Sequence, residues 1–363
     1  MDRSPFPFQG PLAPSEVTGR DDLRRDLAER MVERRVTALL GPRRYGKTSL
    51  LRRVTADLAE VGPETIWIDL YELNSMADLA GAIDQGMSQL QGRARRLLDS
   101  LSGELSFRVG ALGLELTKSA RQRPDPVLAV RALLQKLVEV AQHHDLILVF
   151  DEFSGVAQVP NAAGLLRTEL QHHYRDIAIV FAGSEPSTMR TLFSDQAQPF
   201  FAQADLIEIG PLTDSEIAEI VDDGFAATDR HPGAVTERII HFARGHPQRM
   251  MQLADAVWRS TDPGATADLD TWERALAGVR SSVDNGSERL YALLPAGHQK
   301  TLRVIVSGGS PFGTAADVLD LPAGTATGAI EALTNLGYLT RTDERLLVVD
   351  PLFADWIRRR FPV

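Results

Sequence analysis

The chain has 363 residues, in which 39 lysines and arginines are set against 49 aspartates and glutamates, for a formal net charge of −10. This balance excludes a protein whose whole surface is built to coat nucleic acid, although it leaves room for a local basic patch. Cysteine is absent, which excludes disulfides, cysteine-ligated zinc and thiol catalysis.

The N-terminal residues 1–18 are rich in proline and lack the basic start and apolar run of a signal peptide. No run along the chain approaches the ~20 apolar residues of a membrane span. We therefore expect a cytoplasmic protein that does not enter a membrane.

Short apolar strands alternate with helices as far as Pro211. Strands and helices that alternate in this way form parallel sheets, because a parallel connection needs a crossover helix. The sequence therefore predicts an α/β fold with a doubly wound parallel sheet. The predicted strands cover residues 36–40, 65–70, 146–150, 177–183 and 205–210.

Residues 92–125 interrupt the alternation. The stretch ELSFRVGALGLELTKS within them alternates apolar with polar residues and contains glycines. This pattern is typical of two short strands joined by a turn. It predicts a hairpin-like insertion in the first domain.

The pattern changes to helical after Pro211, where Thr213 or Asp214 would be the N-cap and the nearby Glu216 suggests a capping box. From about residue 286, three short helices are followed by a hairpin in TRTDERLLVVDPLF and a closing helix in ADWIRRRF. Three helices and a hairpin predict a winged-helix domain. The predicted domains are therefore an α/β core at 1–211, a helical lid at 212–285 and a winged helix at 286–363.

The motif G-P-R-R-Y-G-K-T occupies residues 41–48, between a predicted strand and a predicted helix. This context is what a phosphate-binding loop requires, since backbone N–H groups and the helix N-terminus then surround one phosphate. Lys47 would reach the β- and γ-phosphates, and the Thr48 hydroxyl would bind Mg²⁺. The predicted nucleotide-binding residues are Gly41, Pro42, Arg43, Arg44, Tyr45, Gly46, Lys47, Thr48 and Ser49.

Polar residues follow the next two central strands. LILVFDEF places Asp151 and Glu152 at a strand end, where Asp151 would hold the metal through water and Glu152 would polarise the attacking water. The alternative is a pair of surface acids after a strand. Ser184, in IVFAGSEPS, would hold the attacking water or the γ-phosphate, or would cap the helix before Pro186.

The segment ARGHPQRM at 243–250 contains a sharp break between two helices. Pro247 and its neighbours would approach the nucleotide, so that the lid reports the nucleotide state; the alternative is a plain turn. No lysine is followed two places on by aspartate, so the usual guanine-specificity motif is absent. ATP is therefore the expected nucleotide.

With these motifs the sequence resembles the archaeal-type ATPase family, a relative of the STAND and origin-recognition branches of the AAA+ superfamily. The most specific features are the Arg-Arg-Tyr filling of the loop, the Gly-Ser after the fourth strand and the closing D-P-L-F-x-x-W. The matching stretches are Val17–Arg20, Gly41–Leu51, Leu148–Phe153, Phe181–Met189, Ile207–Leu212, Gly245–Pro247 and Asp350–Arg358.

The resemblance implies a P-loop NTPase (AAA+-like) core of five strands, a helical lid and a C-terminal winged helix. It also implies that the segment ending at Arg20, which includes Val17, lines the adenine pocket. Related chains often carry Tyr-Gly-Arg before the fifth strand, where this chain has PFFAQ at 199–203. Without that arginine, hydrolysis is expected to be slow, with Arg190, Arg244 and Arg249 as possible substitutes.

The C-terminal 66 residues, from position 298 to position 363, carry seven lysines and arginines and seven aspartates and glutamates. The predicted recognition helix, TATGAIEALTNLG, contains no lysine or arginine. Since duplex binding draws on phosphate neutralisation, this favours a regulatory or interaction module over a DNA reader.

The main hypothesis is an ATP-binding, slow, Mg²⁺-dependent ATPase that acts as a nucleotide-controlled switch through movement of the lid and winged helix, with a protein partner or self-association. One alternative is a nucleic-acid-dependent AAA+ ATPase that uses the winged helix on DNA. Another is a scaffold that binds ATP without turning it over.

Overall fold

The computed structural model describes residues 3–60, 62–92, 94–100, 125–341 and 345–363. Within the predicted hairpin-like insertion, residues 92 and 94–100 are helical and Asp125 precedes a helix, while residues 101–124, which include ELSFRVGALGLELTKS, lie outside the described residues. The chain divides into two compact units. One contains Asp22–Gly41 and Leu50–Glu208, and the other contains Met1–Asp21, Pro42–Ser49 and Ile209–Val363.

The first unit is built on a five-stranded sheet in which all neighbours are parallel, in the order β2-β3-β4-β1-β5. This confirms the predicted parallel sheet. The central strands β3 and β4 are buried along their whole length, as expected for strands covered by helices on both faces. The strands are β1 (Thr37–Leu40), β2 (Glu64–Asp69), β3 (Leu146–Asp151), β4 (Ala178–Gly183) and β5 (Asp205–Glu208).

Helices connect these strands and cover the sheet. The helices are α1 (Asp21–Val32), α2 (Lys47–Ala59), α3 (Met76–Ser88), α4 (Pro126–Ala141), α5 (Ala162–Leu170) and α6 (Pro186–Ser194). Local signals set their starts: Ser75 caps α3 and Asp125 caps α4, each by accepting a backbone N–H. Five phenylalanines, one each from β3 and β4 and three from the segments after them, pack together in the core, with the rings of Phe153 and Phe181 centred 4.4 Å apart.

The carboxyl ends of the strands lie on one edge of the sheet because all five strands run in the same direction. Gly41 directly follows β1, Glu152 follows β3 and Ser184 follows β4. Since β4 pairs with both β1 and β3, these three chain segments leave the sheet from adjacent strands. Ligands of parallel sheets bind at this edge.

The second unit contains the helices predicted as a lid. They are α7 (Asp214–Ala226), α8 (Val235–Ala243), α9 (Pro247–Arg259) and α10 (Leu269–Ala292). The predicted capping box is present at the start of α7, where Thr213 is the N-cap, Glu216 is its partner and Asp214 is the first helical residue. The predicted domain boundary at 285/286 falls inside α10, which continues through Gly286 without a break.

The lid helices share their hydrophobic core with the proline-rich N-terminal segment. Phe6 is fully buried there, with its ring centred 5.5 Å from that of Phe225. Gly224 makes this approach possible, because a Cβ at this position would lie 2.5 Å from the Phe6 ring. Leu352, near the other end of the sequence, belongs to the same core.

The C-terminal elements follow the predicted order of three helices, a hairpin and a closing helix. They are α11 (Ala296–Val306), α12 (Thr314–Val318), α13 (Ala323–Asn335), β6 (Leu339–Arg341), β7 (Leu346–Val348) and α14 (Pro351–Arg360). Strands β6 and β7 are antiparallel. Their assignment to a winged helix is still a prediction.

The hairpin was predicted to extend to Phe353, and this was wrong. The closing helix begins at Pro351, because the Asp350 side chain accepts the N–H groups of Leu352 and Phe353 and proline suits the first helical position.

Among the helices of the described residues, none is both long enough and apolar enough to cross a membrane.

Candidate phosphate loop and acidic pair

The predicted phosphate loop connects β1 to α2, whose first residue is Lys47. Two left-handed residues, Arg44 at φ +66° and Gly46 at φ +85°, turn the backbone before the helix begins. The Lys47 side chain is buried, and its Nζ donates to the carbonyl oxygen of Pro42 at 2.9 Å. Thr48 is the second residue of α2. Its hydroxyl therefore lies in the same first turn as the N-terminal N–H groups of the helix.

Two residues of the loop, Arg44 and Tyr45, contact the start of α9 in the lid. The Arg44 guanidinium donates to Gln248 Oε1 at 2.9 Å, and Gln248 Nε2 in turn donates to the carbonyl oxygen of Phe8 at 2.9 Å. The ring of Tyr45 packs edge-on against that of His246, with centroids 5.2 Å apart. Two side chains of the loop therefore touch the two residues that flank Pro247.

Pro247 is the first residue of α9, and His246 is its N-cap. The preceding Gly245 adopts φ +78°, and a Cβ there would lie 2.6 Å from the carbonyl oxygen of Leu212. The turn is thus fixed by tight packing against the segment before α7. It places His246 and Gln248 on the side of the phosphate loop that carries Arg44 and Tyr45.

His246 is held neutral by its surroundings. Burial lowers the pKa of its imidazole to about 4, with the charges of Arg249 and Arg44 lowering it further and that of Asp350 opposing them. Its Nδ1 accepts the backbone N–H of Arg249 at 3.3 Å. The neutral tautomer therefore carries its proton on Nε2.

We predict a stability loss in mild acid that depends on His246. Because the pKa is about 4 in the folded protein and 6.5 in the ordinary case, the unfolded chain takes up a proton in this window that the folded chain does not. The free energy of unfolding should therefore fall by about 2 kcal/mol between pH 7 and pH 5 through this residue alone. Urea unfolding at both pH values measures it.

The matched variants are His246→Gln, which keeps a side-chain acceptor, and His143→Gln at an exposed position. The first should remove most of this pH dependence and the second should leave it intact. Equal pH dependence in the wild type and in His246→Gln would contradict the assignment.

The N-terminal segment predicted to line the adenine pocket also borders the loop. Ser49 Oγ accepts the backbone N–H of Leu12 at 3.0 Å. Arg20, in a left-handed conformation, donates its backbone N–H to Glu216 Oε1 at 2.6 Å and its guanidinium to the Gly210 carbonyl at 2.8 Å. Burial lowers the pKa of Arg20 to about 10, while Glu216 and Tyr45 oppose the shift.

Val17 ends a short 3-10 turn at Pro14–Glu16, with its backbone N–H on the Pro14 carbonyl. It lies three residues before Arg20, in extended conformation. The structure therefore groups the N-terminal segment, the loop and the start of α9 within one compact unit.

The acidic pair is placed at the end of β3. Asp151 is buried, which a surface acid would not be, and in the sheet register it lies beside Asp69 of β2. Glu152 adopts a left-handed conformation at φ +51°. Its Oε2 accepts two hydrogen bonds from Ser184, at 2.6 Å from the hydroxyl and 3.2 Å from the backbone N–H.

The alternative role of Ser184 as a helix cap was wrong. Glu185 occupies the N-cap position of α6, and the Ser184 hydroxyl is directed to Glu152 instead. The helix begins at Pro186, because proline suits the first helical position. Its N-cap is therefore the residue directly before the proline, Glu185, and not Ser184. Within this unit the structure thus brings Asp151, Glu152 and Ser184 together.

Three arginines were considered as substitutes for the arginine of the missing Tyr-Gly-Arg element, and the structure gives a partner or a backbone conformation for each. Arg190 donates to Glu208, and Arg249 is bound through Nε and Nη2 to Asp350 while Nη1 donates to Gln252. Arg244 ends α8 in a left-handed conformation.

The pairing of Arg249 with Asp350 was missed from the sequence, since the partners are 101 residues apart. Burial alone would raise the pKa of Asp350, but hydrogen bonds from Arg249 and the charges of Arg249 and His246 hold it below its ordinary value. The Asp-Pro step before the closing helix was the sequence signal that Asp350 caps this helix. No sequence pattern indicated that Arg249 is its partner.

The model of one protein family, described as an ATPase domain predominantly from Archaea, matches residues 25–253. This range starts in α1 and ends in α9, so that it contains the loop, the acidic pair, Ser184 and Pro247. A search among curated protein sequences finds no significant match.

Solved structures resemble the chain over nearly its full length. A Walker-type ATPase of Pyrococcus abyssi matches with a TM-score of 0.71 and 19% identity, covering 98% of this chain and 99% of that chain. The ORC2 protein of Aeropyrum pernix, in ADPNP and ADP complexes, has a TM-score of 0.58, 14% identity and 97% coverage of both chains. The ORC1 protein of the same organism, in complex with DNA, has a TM-score of 0.52, 13% identity and coverage of 95% and 93%.

Proposed function

Because this chain belongs to the family of ATPase domains found predominantly in Archaea, we propose that it is a slow, Mg²⁺-dependent ATPase that acts as a nucleotide-controlled switch. One observation carries the switch: side chains of the phosphate loop contact the lid directly. Arg44 donates to Gln248 and Tyr45 packs on His246, so a phosphate group that rearranges the loop also acts on the start of α9.

The roles of the site residues follow from their chemistry. Lys47 and the N-terminal turn of α2 bind the β- and γ-phosphates, and Glu152 accepts a proton from the attacking water. The Thr48 hydroxyl and the Asp151 carboxylate are hard oxygen donors of the kind that Mg²⁺ prefers, and we assign them to that ion. When bound, it would neutralise charge on the phosphates.

Slow turnover is supported by the contacts of the arginines. Arg190 and Arg249 are engaged by carboxylates, and the chain has no Tyr-Gly-Arg before β5. An arginine that reaches the transferred phosphate raises turnover by about 10³–10⁵ in related chemistry. Phosphate release in single-turnover assays tests the proposal, and the complete absence of hydrolysis would leave only the binding function.

We propose that the C-terminal part restrains ATP turnover through the ion pair between Arg249 and Asp350. Arg249 lies two residues after Pro247, and its side chain is only 13% exposed. Asp350 also caps α14, so the same carboxylate anchors the closing helix and holds a residue of the lid. Breaking the pair releases this arginine from the C-terminal part.

Asp350→Asn is expected to raise basal ATP turnover several-fold, because asparagine keeps the helix cap but loses the charge that holds Arg249. This variant is better than deletion of residues 286–363, which would cut α10 and remove Leu352 from the lid core. Steady-state phosphate release measures the rate, with the exposed Asp317→Asn as control. A rate that is unchanged or lower would contradict the restraint.

The C-terminal charges argue against the DNA-dependent alternative. The exposed positions of α13 include Thr325, Thr327, Glu331 and Asn335, none of which is basic. Two arginines of α14 have partners within the protein, Arg358 on the Val306 carbonyl and Arg359 on Asp355. Filter binding of duplex DNA across a salt series decides the matter, since a steep decrease of affinity with salt would favour the alternative.

A further inference from the structure

The carboxylate of Glu216 divides its two oxygens between two parts of the chain. Oε2 accepts the backbone N–H of Thr213 at 2.8 Å and its hydroxyl at 3.0 Å, within the capping box of α7. Oε1 accepts the backbone N–H of Arg20 at 2.6 Å. A capping box is complete without this last contact, so the bond to Arg20 is an additional task of the same side chain.

Arg20 is bound through its backbone and through its side chain. While its N–H is on Glu216, its guanidinium donates to the Gly210 carbonyl at 2.8 Å. Gly210 lies three residues before Thr213, the N-cap of α7. The end of the N-terminal segment is therefore attached at two points to α7 and to the residues that lead into it.

The backbone at this attachment adopts a conformation that needs support. Gly19 and Arg20 are both left-handed, with φ values of +74° and +58°. Glycine adopts this conformation readily, but a residue with a side chain keeps it only where its surroundings stabilise it. At Arg20 the bond from its own N–H to Glu216 provides that stabilisation. Without the carboxylate, we expect the turn to relax into other conformations.

The N-terminal segment borders the phosphate loop within the same compact unit. The N–H of Leu12 donates to Ser49 Oγ at 3.0 Å. Burial raises the pKa of the Tyr45 hydroxyl and the charge of Arg20 opposes this shift, so Arg20 also lies close to the loop. A change in the turn at Arg20 would therefore alter the surroundings of the loop.

We propose that Glu216 is a positioning residue for nucleotide binding, which holds Arg20 and the N-terminal segment in the conformation that the phosphate loop requires; this rests on the proposed ATPase function. In this role Glu216 acts through Arg20 and makes no contact with the nucleotide itself. It sets the fraction of molecules that are competent to bind, and the apparent affinity falls in proportion to that fraction. ATP and ADP are therefore affected alike.

The test compares two variants of the same capping box. Glu216→Ala removes the contact with Arg20, whereas Thr213→Ala removes only the capping hydroxyl and keeps Glu216 on Arg20. The calorimetric dissociation constants for ATP and ADP should both rise about 10-fold in Glu216→Ala and stay within about twofold of the wild type in Thr213→Ala. The single-turnover rate at saturating ATP should stay within about twofold in both, because every bound molecule is already competent. Thermal unfolding establishes that both variants are folded.

Amide hydrogen exchange reports the contact directly and needs no nucleotide. The Arg20 N–H should exchange slowly in the wild type and in Thr213→Ala, and at least about 10-fold faster in Glu216→Ala. Glu216→Gln keeps an acceptor oxygen but loses the charge that strengthens the hydrogen bond, so its exchange rate should lie between these limits.

Several results would overturn the proposal. An equal loss of affinity in Thr213→Ala would assign the effect to the cap of α7 and not to Arg20. A loss for ATP without a loss for ADP would indicate a contact with the γ-phosphate. Fast exchange of the Arg20 N–H in the wild type would show that the contact does not hold the turn.

Binding by the wild type distinguishes this inference from the function on which it rests. If the wild type binds ATP and Glu216→Ala binds it equally well, only the positioning role fails. If the wild type binds neither ATP nor ADP, the ATPase proposal fails and the positioning role fails with it.

Discussion

Replacement of Lys47 by alanine is expected to abolish tight ATP binding, with a loss of affinity of at least about a hundredfold. The ammonium group is buried within the loop and rests on the Pro42 carbonyl, so the folded protein holds a cation where the motif predicts phosphate. Removing it takes away the positive charge that offsets the phosphates, and no other lysine lies in the loop. Isothermal titration calorimetry with ATP measures the effect.

Lys300→Ala is the matched control, because Lys300 belongs to α11 and donates to the Asp320 carbonyl. It should bind ATP like the wild type. Circular dichroism and thermal unfolding establish that Lys47→Ala is folded. An unchanged affinity in folded Lys47→Ala would show that the phosphate assignment of the loop is wrong.

Glu152→Gln should lower the single-turnover hydrolysis rate by about 10²–10⁴-fold while ATP affinity changes little. Glutamine has nearly the same shape, and its amide oxygen can still accept the two donors of Ser184. It cannot accept a proton from water, so the variant removes the chemistry and keeps the geometry. Rapid-quench measurement of phosphate release gives the rate.

Glu60→Gln, at an exposed position after α2, controls for the loss of one negative charge. It should hydrolyse ATP at the wild-type rate. Equal and negligible rates in wild type and Glu152→Gln would leave a protein that binds ATP without turning it over. A clear rate in Glu152→Gln equal to that of the wild type would instead remove Glu152 from the chemistry.

Local patterns predicted the sheet and the polar residues at its carboxyl edge. The five strands lie within a few residues of their predicted bounds, because buried apolar runs between helices have few alternatives. The family match and the fold confirm the phosphate-loop class of protein. The sequence motifs predict Lys47, Asp151 and Glu152 as site residues, and these roles are still predictions. In the structure Lys47 begins the helix after β1, Asp151 ends β3 and Glu152 follows it.

Contacts between distant parts of the sequence were not predictable in this way. Phe6 lies in a proline-rich stretch without periodicity, yet it fills the lid core. Arg249 is one of many arginines, and only the fold brings it to Asp350. The neutral state of His246 arises from burial, which the residue type does not reveal. In each case the role of the residue depends on its surroundings in the fold, so the residue type alone does not predict it.

The sharing of one core by Phe6 and Leu352 has a consequence for the order of folding during synthesis. Every strand of the large sheet has been made once Glu208 has been added, whereas the lid core lacks a member until Leu352 leaves the ribosome. Loops that close over most of a chain form late, because their entropic cost precedes their contacts. We therefore expect the nascent chain to protect its sheet from protease well before it binds ATP, which limited proteolysis of stalled chains of increasing length would show.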